Sequence, residues 1–197
     1  MMENKIILHL CADIGSDSKP YKDAGYDVRL IGSDIGVENY HPPKGVYGII
    51  ANPPCTMFSI ARTTAKTPRD LKEGMRLVQE CLRVIWECMY EDLGNKRTLS
   101  LKFWSIENPA TGLLRNFLGK PAFEYSPHEY GGDFTKKTAL WGHFNPPLKP
   151  LLISRLPTGR DVSTVITAMS HPNKYDRMNA RSMCNTEFAK QFFIANQ

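Results

Sequence analysis

The sequence has no long apolar run, which excludes the simplest membrane architecture. A helix that crosses a bilayer needs roughly 20 consecutive apolar residues, and no run in this 197-residue chain approaches that length. The first one, Ile6–Leu10, is also too short to be the apolar core of a signal peptide. We therefore expect no membrane association and a cytoplasmic location.

Paired cysteine motifs are also lacking. The chain has five cysteines and no Cys-x-x-Cys pair. An odd number without that spacing argues against a disulfide framework and against a structural zinc site, so we predict no metal. Free thiols are typical of a reducing compartment, which agrees with a cytoplasmic location.

No segment is rich enough in glycine, serine or proline to separate two domains. A chain of 197 residues suits one domain with a sizeable core, and we predict a single domain over residues 1–197. The formal net charge of +5 at pH 7 slightly favours a polyanionic partner such as nucleic acid.

Short strands and helices alternate in the first half of the chain. Lys5–Leu10 is predicted as a strand, a short helix follows between Ser18 and Gly25, and Val28–Ile31 is predicted as a second strand. This order is typical of parallel β-α-β winding. We therefore predict an α/β fold with a doubly wound, mostly parallel sheet.

A long helix is predicted after residue 66. Thr67 is its predicted N-cap, Pro68 suits its first position, and apolar residues recur at spacings of three and four over Leu71–Met89. Cys81 and Cys88 lie on or beside this apolar stripe. We therefore assign both cysteines to core packing.

The second half of the chain carries less regular patterns. Leu99–Ile106 is predicted as a strand and Asn185–Ala195 as a C-terminal helix. Beyond Pro121 the sequence is aromatic and irregular, with one candidate strand at Val162–Thr167. We predict a reduced, irregular C-terminal part of the domain.

Two predicted strands end in residues that carry chemistry. The apolar run that starts at Val46 stops at a Pro-Pro pair directly before Cys55, because proline has no N–H to donate to a sheet. A later strand runs into Glu107 and Asn108. Since open α/β sheets bind their ligands at the carboxyl ends of strands, we expect Cys55 and Glu107 to share one site.

A thiolate beside a carboxylic acid suits covalent attack on an electron-poor heterocycle. The thiolate adds to a ring carbon, and the acid donates a hydrogen bond to the ring nitrogen that gains electron density. The alternative interpretation of Cys55 is a small buried hydrophobic residue, the commoner role of a free cysteine.

The segments around these residues resemble one enzyme family. Asn52-Pro-Pro-Cys-Thr-Met-Phe-Ser59 resembles the Pro-Cys nucleophile loop of the DNA (cytosine-5)-methyltransferases, and Glu107-Asn-Pro109 resembles their Glu-Asn signature. The chain is most similar to the short, single-domain members common in bacteriophage genomes, and the resemblance covers most of its length. Further similar segments are Lys19–Asp27, Phe117–Phe123, Lys136–Gly142 and Arg181–Lys190.

The resemblance implies an S-adenosylmethionine-dependent methyltransferase fold and methylation of cytosine at C5, on a base flipped out of DNA. It implies that Cys55 attacks C6, that Glu107 contacts N3 and the exocyclic amine, and that Asn108 shapes the loop holding Glu107. Lys136 and Lys137 fall where the family places basic residues, which would lower the Cys55 pKa or bind phosphate, and Lys137 is the one that we assign to catalysis. A phage gene would place the protein in the host cytoplasm.

For the methyl donor, S-adenosylmethionine, the resemblance implies a site at the turn after the first strand. This turn departs from the family pattern, which has an acid, an aromatic residue and a glycine at the positions of His9, Cys11 and Asp13. The charge of Asp13 is expected to repel the donor carboxylate and weaken donor binding. The donor-binding residues that the resemblance implies are Cys11, Ala12, Asp13, Ile14, Gly15, Asp34, Asn52, Pro53 and Thr186.

Larger members of the family carry a target-recognition domain where this chain offers only residues 145–179. We therefore expect DNA binding of low sequence selectivity, or a protein partner that supplies specificity. Two other interpretations stay open: cytosine modification on a free nucleotide or with a different donor, and a DNA-binding or host-interacting protein whose donor site has decayed. The basic residues expected to contact phosphates are Arg62, Lys66, Arg69, Lys136 and Lys137.

Overall fold

The computed structural model describes residues 5–12, 14–60, 62, 65–93, 96–99, 101–132, 134–150 and 182–197. The expectations for Asp13, for the strand Val162–Thr167 and for most of residues 145–179 lie outside the described residues. Within the described ranges, no helix has both the length and the apolar character that crossing a bilayer requires.

The regular structure of the described residues consists of eight strands and four α-helices. The strands are β1 (Ile6–Leu10), β2 (Asp27–Ile31), β3 (Val46–Ala51), β4 (Tyr90–Leu93), β5 (Lys96–Leu99), β6 (Phe103–Pro109), β7 (Phe123–Tyr125) and β8 (Thr138–His143). The helices are α1 (Lys19–Asp23), α2 (Leu71–Met89), α3 (Arg115–Leu118) and α4 (Thr186–Ala195).

Six of these strands form one mixed sheet in the order β2-β1-β3-β6-β8-β7. The first four are parallel neighbours, whereas β8 runs antiparallel to both β6 and β7. The predicted α/β fold with a mostly parallel sheet is confirmed. The segment after Pro121 that we interpreted as irregular contributes β7 and β8, which gain their order from pairing with each other and, for β8, with β6.

Helices cover both faces of the sheet, as a doubly wound fold requires. α2 packs on the face where Leu8, Ile49 and Ile106 are buried. α1 and α4 pack on the opposite face, against Ile7 and Phe103. Neighbouring residues of β1 face opposite sides because side chains alternate along a strand, so the central strands are apolar on both faces.

The apolar stripe of α2 packs as predicted. Val78, Val84 and Ile85 are buried in the same cluster as Cys81 and Cys88. Core packing is therefore confirmed for both cysteines, and neither is available for chemistry at the surface.

α2 begins later than the sequence predicts. Its cap is Asp70, whose carboxylate accepts a hydrogen bond from the backbone N–H of Glu73 at 2.9 Å. The predicted cap, Thr67, lies one turn earlier, and its hydroxyl accepts a hydrogen bond from Arg62 at 2.7 Å. Aspartate and threonine are both favourable N-cap residues. Asp70 is the cap because its side chain accepts from a helix N–H, whereas the Thr67 side chain is bonded to Arg62.

The predicted strand Leu99–Ile106 is wrong at both ends. Leu99 ends β5 in a hairpin with β4, and β6 begins at Phe103. β6 continues to Pro109 because its last residues pair with β8. This extension places Glu107 within the sheet instead of in the loop that follows it.

β3 and β6 approach closely where Gly48 lies beside Phe103. A β-carbon at residue 48 would lie 2.2 Å from the Phe103 ring, so no larger residue fits there without a shift. The same ring stacks on Tyr21 of α1, with ring centroids 5.5 Å apart. The glycine thus allows an aromatic ring to fill the space between the sheet and α1.

Asparagines secure both ends of α4. Asn185 caps its start by accepting a hydrogen bond from the Phe188 N–H at 2.9 Å, which confirms the predicted helix to within one residue. At its end, Asn145 and Asn196 exchange hydrogen bonds of 2.8 and 3.0 Å, and the Asn145 amide also donates to the Ala195 carbonyl at 2.9 Å. These bonds join the end of α4 to the end of β8.

Candidate active site

The chain leaves β3 through Asn52 and two prolines and then forms a short 3₁₀ turn, Cys55–Met57. The N–H groups of Phe58 and Ser59 both donate to the Cys55 carbonyl, at 2.9 and 2.8 Å. Phe58 is fully buried, whereas Cys55 is exposed to solvent. We call residues 52–59 the nucleophile loop, and it holds a thiol on a turn anchored in the core.

Two arginines bind the backbone of this loop and of the segment after it. Arg69 donates to the carbonyls of Met57 and Ser59, the latter at 3.1 Å. Arg62 donates to the Thr67 carbonyl at 3.0 Å. Both guanidinium groups are thus engaged within the protein, and the phosphate contacts expected of them stay predictions.

One buried hydrogen bond joins the ends of β3 and β6. Nδ2 of Asn108 donates to the carbonyl oxygen of Pro53 at 3.0 Å, and Asn108 is fully buried. β3 and β6 are parallel neighbours with Ala51 opposite Ile106, so the nucleophile loop and Glu107 lie at the same edge of the sheet. The two strand ends singled out in the sequence therefore meet.

Glu107 supplies the carboxyl group of the site. Its side chain is 19% exposed, and Nζ of Lys136 lies 4.0 Å from its Oε1. Burial has the largest influence on the Glu107 pKa and raises it, the Lys136 cation lowers it and Asp17 raises it, so that the pKa lies above its usual value. A raised pKa favours the protonated acid, the form that can donate a hydrogen bond.

The surroundings of Cys55 disfavour its thiolate. The residue is exposed by surface area, yet enough protein surrounds the sulfur that burial is the largest cause of a raised thiol pKa; Glu107 raises the pKa further and Lys136 lowers it. Burial has the largest single influence on the Lys136 pKa and lowers it, but Glu107, Cys55, Asp17 and Cys184 together raise the pKa above its usual value. The site therefore holds a thiol beside a stable ammonium group.

Of the two adjacent lysines, it is Lys136 that reaches this site. Lys137 is exposed, and its backbone carbonyl accepts a hydrogen bond from the Ala110 N–H at 2.9 Å. The prediction from the sequence assigned the catalytic role to Lys137, although residue type alone does not distinguish two consecutive lysines. Proximity to Glu107 distinguishes them, and it assigns the electrostatic role to Lys136.

The turn after β1 carries several of the residues implied to bind the methyl donor. Cys11 has a φ of 55°, in the left-handed region, and its Sγ lies 3.7 Å from that of Cys81. Ala12 is buried and donates its N–H to the Ile31 carbonyl at 3.1 Å. Ile14 is 43% exposed. Cys11 and Ala12 thus tie this turn to α2 and β2, and Ile14 faces solvent.

Gly15 lies in the same turn, and the remaining implied donor residues lie on three other segments. Gly15 has a φ of 73°, which explains a glycine at this place in the turn. Asp34 is exposed after β2, and Thr186 is exposed at the start of α4. Pro53 is buried within the nucleophile loop.

Asp17 and His9 complete the polar part of the site, and nothing in the sequence marked Asp17. Oδ2 of Asp17 lies 3.2 Å from Nδ2 of Asn52 and 3.9 Å from Nε2 of His9. His9 is buried, and burial lowers its pKa although Asp17 and Asn52 raise it, so the imidazole is neutral at pH 7. Asp17 reaches the site through the conformation of the turn after β1, and no sequence motif indicates its position.

A small cavity connects Asp17 with Glu107. Asp17, Ser105 and Glu107 form its polar lining, and Phe188 and Phe192 of α4 form part of its apolar lining. α4 therefore covers the sheet face onto which Glu107 projects.

Cys184 lies directly before α4 and docks on the turn after β1. Its backbone N–H donates to the Ser16 hydroxyl at 3.0 Å. Burial raises the pKa of its thiol, and the charges of Asp17 and Glu107 raise it further. Cys184 is thus a neutral thiol in this site, and it joins the C-terminal helix to the donor-side turn.

In the described part of the chain, no group of three or more His, Cys, Asp or Glu side chains is arranged to hold a metal ion. No protein-family model and no curated protein matches this chain. The features that bear on function are therefore the geometry of the site and the sequence of the segments that form it.

Proposed function

We propose that this protein belongs to the short, phage-type DNA (cytosine-5)-methyltransferases and methylates C5 of cytosine, with Cys55 as nucleophile. The observation that carries the proposal is the hydrogen bond between Asn108 and Pro53, because it holds the nucleophile loop beside Glu107. The resemblance of both segments supports the same pair of reactive residues.

In the proposed reaction, the Cys55 thiolate forms a bond to C6 of the flipped cytosine. The displaced ring electrons move toward N3, which takes the proton of Glu107, and C5 becomes nucleophilic. S-adenosylmethionine supplies an electrophilic methyl group for C5. The N3 proton then returns to Glu107, and water takes the proton from C5. The electrons of that C–H bond restore the C5–C6 double bond, and the Cys55 thiolate leaves with the electrons of the C6–S bond.

The charges of the site couple the acid to the nucleophile. An ionised Glu107 raises the pKa of Cys55, whereas Lys136 lowers it. Protonation of Glu107 removes the negative charge that raises the Cys55 pKa, while Lys136 continues to lower it. Protonation of the acid and ionisation of the thiol therefore favour each other. These are the two protonation states that the proposed reaction needs at its start.

The residues at the donor side fit S-adenosylmethionine in charge and polarity. The donor carries cationic groups, and the Asp17 carboxylate offers a complementary charge. Oδ1 of Asn52 and Nε2 of His9 are buried without hydrogen-bond partners in the described structure, so polar atoms remain for a polar ligand. Cys11, Ala12, Gly15 and the segment around Thr186 would surround it.

The proposed substrate is DNA, bound with little sequence preference. Lys66 and Lys137 are exposed and suit contacts to phosphates. Residues 145–179 stand where larger family members have a recognition domain, and a protein partner would be the other source of specificity.

The experiment that tests this function traps the covalent adduct. An oligonucleotide containing 5-fluorocytosine, incubated with S-adenosylmethionine, should bind the protein irreversibly because fluorine cannot leave C5 as a proton does. Cys55→Ser should abolish the adduct, whereas Cys88→Ala, at a buried core position, should retain it. An adduct that survives Cys55→Ser refutes the assignment. Adducts on a free nucleotide but not on DNA would favour cytosine modification on a nucleotide. Absence of both donor binding and adduct would favour a protein whose donor site has decayed.

A further inference from the structure

Two thiols meet between the turn after β1 and the long helix α2. Sγ of Cys11 lies 3.7 Å from Sγ of Cys81, in hydrogen-bond contact. The two residues are 70 positions apart in the chain, so the fold brings them together and the local sequence does not. Sulfur atoms in contact need only a small displacement to form a disulfide, whose S–S bond is about 2.05 Å long.

The backbone of Cys11 is turned so that this contact is made. Side chains alternate along a strand, and Leu8 and Leu10 of β1 are buried on the side of α2. Continued alternation would direct Cys11 to the opposite side, where Ile7 lies. Its φ of 55° interrupts the alternation, and its side chain packs against the α2 cluster instead. No other described residue apart from the glycines has a positive φ, so the turn accepts an uncommon conformation where its thiol reaches Cys81.

The two thiols differ in access to solvent and in their hold on the proton. Cys11 is partly exposed, whereas Cys81 is fully buried. The hydrogen bond to Cys11 has the largest influence on the Cys81 pKa and raises it, and burial and the charge of Cys11 raise it further. Cys81 therefore keeps its proton and can donate it to the Cys11 sulfur. Cys11 is the sulfur of the pair that a small oxidant reaches from solvent.

We propose that Cys11 and Cys81 form a redox modification site, which hydrogen peroxide converts reversibly into a disulfide. The Cys11 sulfur attacks one peroxide oxygen, the O–O bond breaks, and the Cys11 proton leaves with the other oxygen as water, so that Cys11 becomes a sulfenic acid. The Cys81 sulfur then attacks the Cys11 sulfur, the S–O bond breaks, and the Cys81 proton leaves with the hydroxyl group as water. Two thiols are oxidised, and one peroxide is reduced to two waters.

The site fits a reducing compartment, in which disulfides are transient and sense oxidants. A dithiol reductant restores both thiols by exchange. The reductant attacks the Cys11 sulfur because this is the exposed one, and Cys81 leaves as a thiolate that takes up a proton. The modification is therefore reversible in the way that a switch requires.

The disulfide would draw the turn after β1 toward α2. The two sulfur atoms must approach by about 1.6 Å to reach bonding distance from 3.7 Å. Cys81 is fixed in the core cluster around α2, so the turn is the side that moves. The consequence for methyl transfer rests on the proposed function, in which this turn holds the methyl donor: since a misplacement of about 1 Å can cost up to a hundredfold where geometry decides, we expect donor binding to weaken about tenfold.

Peptide mapping tests the linkage in the native chain. Trypsin places each of the five cysteines in a different peptide, with Cys11 in residues 6–22 and Cys81 in residues 77–83. The folded protein is treated with a small excess of hydrogen peroxide, alkylated to block the remaining thiols, and digested. We expect these two peptides to be crosslinked, with the loss of two hydrogens, and to separate in dithiothreitol. Linkage of either cysteine to another peptide, or oxidation of Cys11 beyond the sulfenic acid without linkage, would overturn the proposal.

Two variants in α2 distinguish this pair from general thiol oxidation. Cys81→Ala removes the second thiol, so the sulfenic acid on Cys11 should persist and react with dimedone. Cys88→Ala is the matched control, since Cys88 is buried in the same helix and the same cluster, and it should form the linkage as the native chain does. A Cys81→Ala chain without dimedone on residues 6–22, or a folded Cys88→Ala chain without the linkage, would contradict the assignment.

Calorimetry with S-adenosylhomocysteine tests the effect on the donor side. The measurement uses Cys55→Ser, because Cys55 is exposed and its own oxidation would otherwise contribute. Affinity should fall about tenfold when the linkage forms and recover in dithiothreitol, and equal affinity of the linked and reduced forms would overturn this effect. A reduced native chain that binds neither S-adenosylmethionine nor S-adenosylhomocysteine would refute the proposed function, whereas the peptide map decides the disulfide independently.

Discussion

The buried amide of Asn108 donates a hydrogen bond to the carbonyl oxygen of Pro53, at 3.0 Å. Pro54 follows directly and restricts its own φ, which is −51° here. The orientation of the Pro53 carbonyl therefore also directs the chain into Cys55. Through this bond, the strand that carries the acid orients the loop that carries the thiol.

Asn108→Asp should disturb this arrangement, because a carboxylate cannot donate to Pro53 and adds a buried charge next to Glu107. We expect the free energy of unfolding to fall by about 1–3 kcal/mol and adduct formation by Cys55 to slow. Urea denaturation and the 5-fluorocytosine assay measure these effects. Asn116→Asp, at an exposed position of α3, is the matched control. A variant with native stability and native adduct rate would contradict the role of this bond.

Glu107→Gln should abolish proton donation to N3 while preserving the size of the side chain. We expect turnover on DNA to fall on the order of a hundredfold or more, the range that general acid catalysis contributes. Methyl transfer from labelled donor and DNA binding are measured together. Native turnover with intact DNA binding would show that Glu107 has a structural role and that the site is misplaced.

The raised pKa of Glu107 also predicts a pH dependence of stability. The unfolded chain should show an ordinary glutamate pKa of about 4.3, below that of the folded state. Between these two pKa values the folded protein binds more protons, so this contribution is complete below the lower pKa and is lost as pH rises through the higher one. Urea denaturation measures the free energy of unfolding of the native chain and of Glu107→Gln. As pH rises above about 4.3, the native chain should lose stability relative to the variant. Parallel curves from pH 4 to 8 would disprove the raised pKa.

Lys136→Met should raise the pKa of Cys55 further, since it removes the cation that favours the thiolate. The rate of Cys55 alkylation by iodoacetamide should therefore fall at a given pH, and its pH midpoint should move upward. Lys137→Met is the matched control because that side chain is exposed. An identical pH profile for the two variants would remove the electrostatic role assigned to Lys136.

DNA binding should be sensitive to salt and insensitive to sequence. Each phosphate neutralised contributes a slope of about −0.9 to the plot of log affinity against log salt, so replacing exposed Lys66 with methionine should make the slope shallower by about one. Fluorescence anisotropy with unrelated duplexes measures both properties. Bisulfite mapping of methylation to a single long motif, with this protein alone, would contradict low selectivity.

The parts of the fold that could be predicted are those whose pattern lies within a short stretch of sequence. Periodicity alone identifies the apolar stripe of α2, and a strand that stops at Pro-Pro identifies the edge position of Cys55. β7 and β8 gave no such signal, because their order comes from pairing across the sheet. The extension of β6 to Pro109 has the same origin, so the sequence could predict which acid matters without predicting that it lies within the sheet.

The candidate site likewise contains residues that the sequence identifies and residues that only the three-dimensional structure identifies. Cys55 and Glu107 follow apolar runs, so their meeting at one edge could be predicted from strand order. Asp17 lies in a turn without a motif, and its importance depends on where the Asn52 amide points. The choice between Lys136 and Lys137 likewise depends on three-dimensional proximity, which two consecutive identical residues do not encode.

The hydrogen bonds between Asn145 and Asn196, and the docking of Cys184 on Ser16, attach the chain on both sides of the segment 146–183. Since the cost of closing a loop grows slowly with its length, a segment between two such anchors can change in length without moving α4 or the sheet. An insertion between these two anchors, such as a recognition module, would therefore leave the thiol and the acid in place.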